Sequence, residues 1–152
     1  MKLPSKVVIC EVGLRDGLQN EPKILNVSEK LKLAEGLIEA GFKVIELGSF
    51  MNPKAVPQMA DTDELFRLIG NYEGVEFRAL VANKKGVERA IDCGCKKIKL
   101  NVSASKQHNL ANINKTPGET VAGFAENVDL ALKNGLEVSG SISMPFGSPW
   151  EG

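Results

Sequence analysis

The sequence predicts an α/β protein built from parallel strand–helix units. Apolar runs typical of strands alternate with amphipathic stretches typical of helices along the 152 residues. The repeat is about 30 residues long, which suits one strand and its crossover helix. Polar side chains follow the predicted strands, where parallel sheets carry their sites. We therefore predict a single domain over residues 1–152, with five strands and four helices.

The predicted strands are short runs at residues 7–10, 43–47, 75–81, 97–102 and 137–143. The first run, Val-Val-Ile-Cys, is continuously apolar and indicates a buried strand. Right-handed crossovers between successive strands would make the sheet parallel.

The predicted helices have recognisable ends. Ser28 is the expected N-cap of the first helix, and Asp61 or Thr62 that of the second. Glycines end the first three helices: Gly41, Gly70 and Gly94. The fourth helix starts with a capping box from Thr116 to Glu119 and ends at Gly135. Its expected buried face carries Val121, Phe124, Ala125, Val128 and Leu132.

Composition excludes several functional classes. Nineteen basic and nineteen acidic residues cancel, and no basic stripe indicates nucleic-acid binding. No apolar run approaches the roughly 18 residues of a membrane span. The polar first residues do not resemble a signal peptide, so we expect a cytoplasmic protein. Cys93 and Cys95 do not have a usual zinc-ligand spacing, and we interpret them as small, half-buried residues.

The segment 11–21, Glu-Val-Gly-Leu-Arg-Asp-Gly-Leu-Gln-Asn-Glu, is the most informative part of the chain. Arg15 and Asp16 follow the first strand, where buried charges are costly unless they meet a ligand, a metal or each other. A structural ion pair would explain those two residues alone. The polar residues that follow, Gln19, Asn20 and Glu21, favour a site.

Polar residues also follow the later strands, at Glu46, Ser49, Asn83, Ser103, Ser105 and Ser143. This pattern is typical of an eight-stranded barrel, but it also fits an open doubly wound sheet. Open sheets usually bind phosphate on a glycine-rich first loop, whereas this first loop carries charged side chains. The pattern by itself leaves both architectures open.

The segment 11–21 resembles the opening strand and loop of the 3-hydroxy-3-methylglutaryl-CoA lyase family, which belongs to the metal-dependent TIM-barrel lyases and synthases. Other members of that superfamily share the Arg-Asp pair but differ in the residues after it. Later matches lie at residues 39–50, 53–59, 103–105, 112–114 and 147–152. The resemblance implies the parallel (β/α) units of a TIM barrel, with about five of its eight strands present.

The resemblance also implies roles for individual residues. Asp16 would bind a divalent cation, Mg²⁺ or Mn²⁺. Arg15 would hold the thioester carbonyl of an acyl-CoA, while Gln19 and Glu46 would line the same pocket. Ser105 and Asn112 are candidate contacts to the CoA arm, although capping a loop would explain them equally well. His108 lies in a polar loop, where we expect a local hydrogen bond rather than metal binding.

The implied reaction belongs to leucine degradation and cleaves 3-hydroxy-3-methylglutaryl-CoA to acetyl-CoA and acetoacetate. The family completes its metal site with histidines and an asparagine from later strands, so we expect little activity from residues 1–152 alone. One alternative is a sibling lyase for a longer 3-hydroxyglutaryl-CoA, or an aldolase-type relative. Another is a non-catalytic half-barrel that pairs as a homodimer or with a complementing C-terminal half.

Overall fold

The computed structural model describes residues 3–150 and forms one five-stranded sheet. All adjacent strands are parallel, in the spatial order β1-β2-β3-β4-β5. The strands are β1 (Cys10–Glu11), β2 (Val44–Ser49), β3 (Glu76–Val81), β4 (Lys97–Ser103) and β5 (Glu137–Ser143). Since the spatial order equals the chain order, the sheet lacks the reversal of an open doubly wound fold. It is a half-barrel, which confirms the predicted class.

Helices cover the outer face of this sheet. They are α1 (Val27–Glu39), α2 (Thr62–Ile69), α3 (Lys84–Asp92), α4 (Lys106–Ile113), α5 (Pro117–Ala122) and α6 (Phe124–Lys133). A π-helical turn, Gly13–Gly17, follows β1, and a 3₁₀ turn, Pro57–Met59, precedes α2. Within residues 3–150, every helix falls short of the length and apolar character needed to cross a bilayer.

The hydrophobic core lies between the sheet and its helices. Its fully buried members include Ile45, Leu65, Val87, Ile98 and Ala131. Close packing there depends on a glycine in β2, because a Cβ on Gly48 would lie 2.6 Å from Oγ1 of Thr62 in α2. The core therefore fixes α2 tightly against the strand that carries Glu46.

The inner face of the half-barrel is polar, unlike the core. In β4, the buried Ile98 and Leu100 alternate with Lys97, Lys99 and Asn101. Because strand residues alternate between faces, these polar residues share the face opposite the core. Their partners on β5 are polar too: Glu137, Ser139 and Ser141. The inner face is therefore lined by groups that can bind polar ligands.

The predicted first strand is wrong in extent and burial. Val7, Val8 and Ile9 are exposed, and β1 is only Cys10 and Glu11. The reason is that β1 pairs with β2 alone, so in the described residues no second neighbour covers the preceding segment.

Three helix predictions also need correction. Asn26, not Ser28, caps α1: its side chain accepts from the Glu29 amide, and the Glu29 carboxylate accepts from the Asn26 amide. This reciprocal capping box satisfies two free amides, which a Ser28 cap would leave without those partners.

The predicted fourth helix is two helices, α5 and α6, which meet at Gly123. Its capping box from Thr116 to Glu119 is confirmed. Phe124 and Val128 pack against the core as predicted, but Val121, Ala125 and Leu132 are exposed. The segment before it, predicted as a polar loop, forms α4 because Ser105 caps it.

The cysteines are more buried than predicted. Cys10 is half-buried, whereas Cys93 and Cys95 are buried where α3 leads into β4. All three thiols are free.

Candidate functional site

A cavity of about 760 Å³ lies at the carboxyl ends of the strands. Each strand or the loop after it contributes to its wall; the lining includes Arg15, Met51, Ala82, Asn101 and Ser143. Convergence at one edge follows from the parallel sheet, because all its carboxyl ends point the same way. The site predicted from the strand ends therefore corresponds to one concave surface.

Arg15 is aimed by the turn that follows β1. The amides of Arg15 and Asp16 both donate to the Val12 carbonyl, at 3.0 and 2.7 Å, and the Leu18 amide donates to the Gly13 carbonyl, which closes the π-helical turn. Leu14 is buried in the core and anchors this turn. Consequently the side chain of Arg15 extends from a fixed backbone toward the inner face.

Four charged groups form a continuous chain across the inner face. Arg15 Nε donates to Glu46 Oε1 at 2.5 Å, and Arg15 NH1 donates to Asp16 Oδ1 at 2.6 Å. Lys99 Nζ lies 2.5 Å from the other Glu46 oxygen, Oε2. The side chain of Glu46 is 0% exposed, that of Arg15 14% and that of Asp16 59%. This series of ion pairs thus runs from the fully buried carboxylate of Glu46 to the carboxylate of Asp16 at the cavity surface.

A β-bulge in β2 places Ser49 on the same face of the strand as Glu46. The register of β2 with β3 shifts between Glu46 and Gly48, so Glu46 opposes Arg78 while Ser49 opposes Leu80. Arg78 and Leu80 are two residues apart on β3 and share a face, which places Glu46 and Ser49 on one face as well. The buried Ser49 Oγ has no hydrogen-bond partner within the described chain.

The wall opposite Arg15 is a hydroxyl–amide cluster. The hydroxyls of Ser141 and Ser143 donate to Asn101 Oδ1, at 2.8 and 3.1 Å. These bonds fix the amide of Asn101, which lines the cavity. Sequence reasoning missed Lys99 and Asn101, although the alternating polar residues in both strands are the signal that identifies them.

Of the other predicted site residues, two line the cavity and one does not. Gln19 and Asn112 line the cavity beside Arg15 and Asp16. The Asn112 amide nitrogen lies 3.0 Å from His108 Nε2, and the His108 ring packs 5.9 Å from Trp150. Ser105 does not belong to this lining, because its buried hydroxyl accepts from the His108 amide and caps α4. The site roles of these residues stay predictions.

The residues that line the cavity offer one carboxylate ligand for a hard cation. Asp16 is the only carboxylate of the cavity lining in the described part of the chain, and oxygen ligands suit Mg²⁺ or Mn²⁺. No group of three His, Cys, Asp or Glu side chains within residues 3–150 is placed to hold a metal ion. Asp16 can therefore contribute one ligand, to be completed by other groups.

Comparison with known proteins gives a consistent result. Residues 6–151 match the model of the HMGL-like family. The chain is 40% identical to the Pseudomonas aeruginosa 3-hydroxy-3-isohexenylglutaryl-CoA/hydroxy-methylglutaryl-CoA lyase, over 100% of the chain and 51% of that protein. It is 41% identical to the Bos taurus mitochondrial hydroxymethylglutaryl-CoA lyase, over 98% of the chain and 46% of that protein.

A solved structure agrees with these relatives. It is the Acinetobacter baumannii HMG-CoA lyase in complex with coenzyme A and 3-methylmalate, with a TM-score of 0.90 and 39% identity. The match covers 95% of this chain and 47% of that one. The chain thus spans about half the length of the relatives it matches.

Proposed function

This chain belongs to the HMGL-like family, and on that premise we propose that it supplies half of the active site of a hydroxymethylglutaryl-CoA lyase. The observation that carries the proposal is the pair of Arg15, which lines the cavity, and Glu46, which is fully buried behind it and is not part of the lining. A guanidinium fixed by a fully buried carboxylate can bind an oxygen that gains negative charge.

The proposed reaction is a retro-Claisen cleavage of 3-hydroxy-3-methylglutaryl-CoA. The 3-hydroxyl loses its proton, and the bond between C2 and C3 breaks. Its electron pair moves into the thioester as an enolate, while C3 becomes the ketone of acetoacetate. A proton returned to C2 then gives acetyl-CoA.

Arg15 would stabilise the enolate oxygen of this reaction. The Nε–H of Arg15 donates to Glu46, and one N–H of NH1 donates to Asp16. Because a guanidinium has five N–H donors, the others stay available for a substrate oxygen. A preorganised donor of this kind supplies on the order of 3 kcal/mol of transition-state stabilisation. Burial strengthens the effect because the surroundings screen less charge than water does.

Asp16 would act as one ligand of a divalent cation, Mg²⁺ or Mn²⁺. A cation held there would supply Lewis-acid chemistry, which makes the substrate hydroxyl more acidic. Gln19 would orient the substrate from the same wall, and Asn112 would contact the CoA arm at the cavity edge. Asn112 is suited to that contact because it lies on the cavity side of α4.

An acyl-CoA is the proposed substrate class, because the Acinetobacter baumannii neighbour holds coenzyme A. A longer 3-hydroxyglutaryl-CoA is a second candidate, since the Pseudomonas aeruginosa relative is named for an isohexenyl substrate too. Met51, Val56 and Leu80 line the cavity and would accommodate an apolar branch.

A cytoplasmic location remains a prediction, because the Bos taurus relative is named mitochondrial.

The test is a fusion of this chain to the remaining half of the Pseudomonas aeruginosa relative. With Mg²⁺ or Mn²⁺, we expect it to release acetyl-CoA from 3-hydroxy-3-methylglutaryl-CoA. Arg15→Met should lower kcat by about 10²- to 10³-fold, as loss of an oxyanion donor does in other enzymes. Arg15→Lys should recover little of this, because an ammonium lacks the guanidinium's fixed fork of donors.

The matched control is Arg78→Met, which removes another partly buried inner-face arginine that pairs with Glu76 outside the cavity. We expect its kcat to stay within about threefold of the parent fusion, a change of less than 1 kcal/mol. If Arg15→Met and Arg78→Met retained equal activity in folded protein, the proposed role of Arg15 would be wrong.

A further inference from the structure

Lys99 reaches the site from β4 although a whole strand, β3, separates it from Glu46. Its ammonium lies 2.5 Å from Glu46 Oε2, and its side chain is 17% exposed. Lys99 also lines the cavity beside Arg15. The contact joins the second and fourth strands across the inner face.

The two oxygens of Glu46 are thereby divided between two cations. Arg15 Nε contacts Oε1 and Lys99 Nζ contacts Oε2, while the carboxylate itself is fully buried. Both oxygens of the buried carboxylate are therefore held, while the more exposed Asp16 carboxylate also pairs with Arg15. Without Lys99, the carboxylate would neutralise Arg15 alone, and Oε2 would be buried without a partner.

We propose that Lys99 is a positioning residue: it fixes Glu46 so that the Arg15 guanidinium is held in one orientation, with its charge available to an anionic oxygen. This inference rests on the proposed function of Arg15. Lys99 itself acts through Glu46 and need not touch the substrate. An apolar residue at position 99 would leave Glu46 free to swing toward Arg15 and to neutralise it.

Lys97 provides a matched control on the same strand. It lies two residues earlier on the same face, is 19% exposed, and pairs with Glu76 and Glu137. These three side chains line a separate cavity of about 630 Å³ at the amino ends of the strands. Loss of Lys97 therefore removes a lysine of similar exposure, with its two ion pairs, without removing a contact of Glu46.

The first test is spectroscopic and needs no activity. In ¹⁵N-labelled chain, the Nε–H signal of Arg15 should be protected from solvent exchange by its bond to Glu46. Lys99→Met should shift this signal and speed its exchange by about tenfold, whereas Lys97→Met should leave it unchanged. Lys99→Arg should restore the parent signal, because it retains the positive charge and a donor. Lys99→Gln is the second neutral variant, should Lys99→Met fail to fold.

The second test uses the fusion described above. Lys99→Met should lower kcat by about tenfold, the lower end of the effects seen for groups that orient site residues, with KM changed less than twofold. An Arg15 signal that responds equally to Lys97→Met and Lys99→Met would overturn the inference. If the signal responds to Lys99 but Arg15→Met leaves turnover intact, the positioning role stands and the proposed function fails.

Discussion

Glu46 is the carboxylate that links the two cations of the site, Arg15 and Lys99. It is fully buried on the inner face, and its contacts to Arg15 and Lys99 offset the cost of removing its charge from water. Breaking a buried pair by removing one partner typically costs about 3–5 kcal/mol, because the other charge is left uncompensated. The sequence predicted Glu46 and Arg15 from a resemblance, but a contact across three strands cannot be derived from spacing along the chain.

The cysteines differ in chemical accessibility, which yields a prediction at the residue scale. Burial raises the pKa of Cys95 to about 12, and burial also raises the pKa of Cys93 and, with Glu46 and Glu76 nearby, that of the half-buried Cys10. The thiolate is the reactive form, so a raised pKa lowers its fraction at pH 8 and slows alkylation. With iodoacetamide at pH 8, we expect Cys10 to be modified first and Cys95 last.

Mass spectrometry of peptides from a time course measures this order. In urea the three rates should converge, since unfolding returns each thiol to its ordinary pKa. Native Cys95 reacting as fast as native Cys10 would contradict the packing described for α3 and β4.

At the scale of elements, the sequence predicted local features better than distant ones. The capping box of α5 and the glycine after α2 are read from residues a few positions apart, and both are present. The helix α4 was missed because its eight residues show little amphipathic periodicity, and its start depends on the Ser105 cap. The exposure of residues 7–9 depends on which strand lies beside β1, and no local pattern encodes that neighbour.

The contact between β2 and α2 gives a prediction for this scale. Gly48→Ala places a methyl group 2.6 Å from Thr62 Oγ1, so the strand and helix must separate. We expect the free energy of unfolding to fall by about 1–3 kcal/mol, the usual cost of overpacking a core. Urea unfolding followed by circular dichroism measures the change.

Gly36→Ala in α1 is the control, because nothing lies within 4 Å of the added methyl group. An alanine inside a helix should raise stability by about 0.5–1 kcal/mol relative to glycine. Equal effects of the two substitutions would show that Gly48 does not set the spacing of α2.

At the scale of the whole molecule, residues 3–150 form a sheet with two open edges. β1 pairs only with β2, and β5 pairs only with β4. Apolar side chains are exposed beside both edges: Val7, Val8, Ile142 and Phe146. Unpaired edges with apolar neighbours favour association with further strands. We expect a complementing half to cover them, and a homodimer is the alternative partner.

The two ends of the half-barrel have different roles. At the amino ends, Glu76 bridges Arg78 and Lys97, and Lys97 also pairs with Glu137. Burial raises the pKa of Glu76, but hydrogen bonds and charge from Lys97 and Arg78 outweigh it and hold the pKa below its ordinary value. This network should therefore stabilise the fold above about pH 4.5 and weaken on acidification. The carboxyl ends instead hold the proposed site.

The most direct test of the central claim is a comparison of this chain alone with the chain joined non-covalently to its complement. Residues 1–152 and the remaining half of the Pseudomonas aeruginosa relative are purified separately. Each is assayed with 3-hydroxy-3-methylglutaryl-CoA and Mg²⁺ or Mn²⁺, before and after mixing, with complex formation followed by analytical ultracentrifugation.

We expect little or no acetyl-CoA from either piece, because residues 3–150 place a single carboxylate, Asp16, in the lining of the cavity. The complex should release acetyl-CoA and acetoacetate in equal amounts. Full turnover by residues 1–152 alone, or a verified complex that cleaves nothing, would contradict the account.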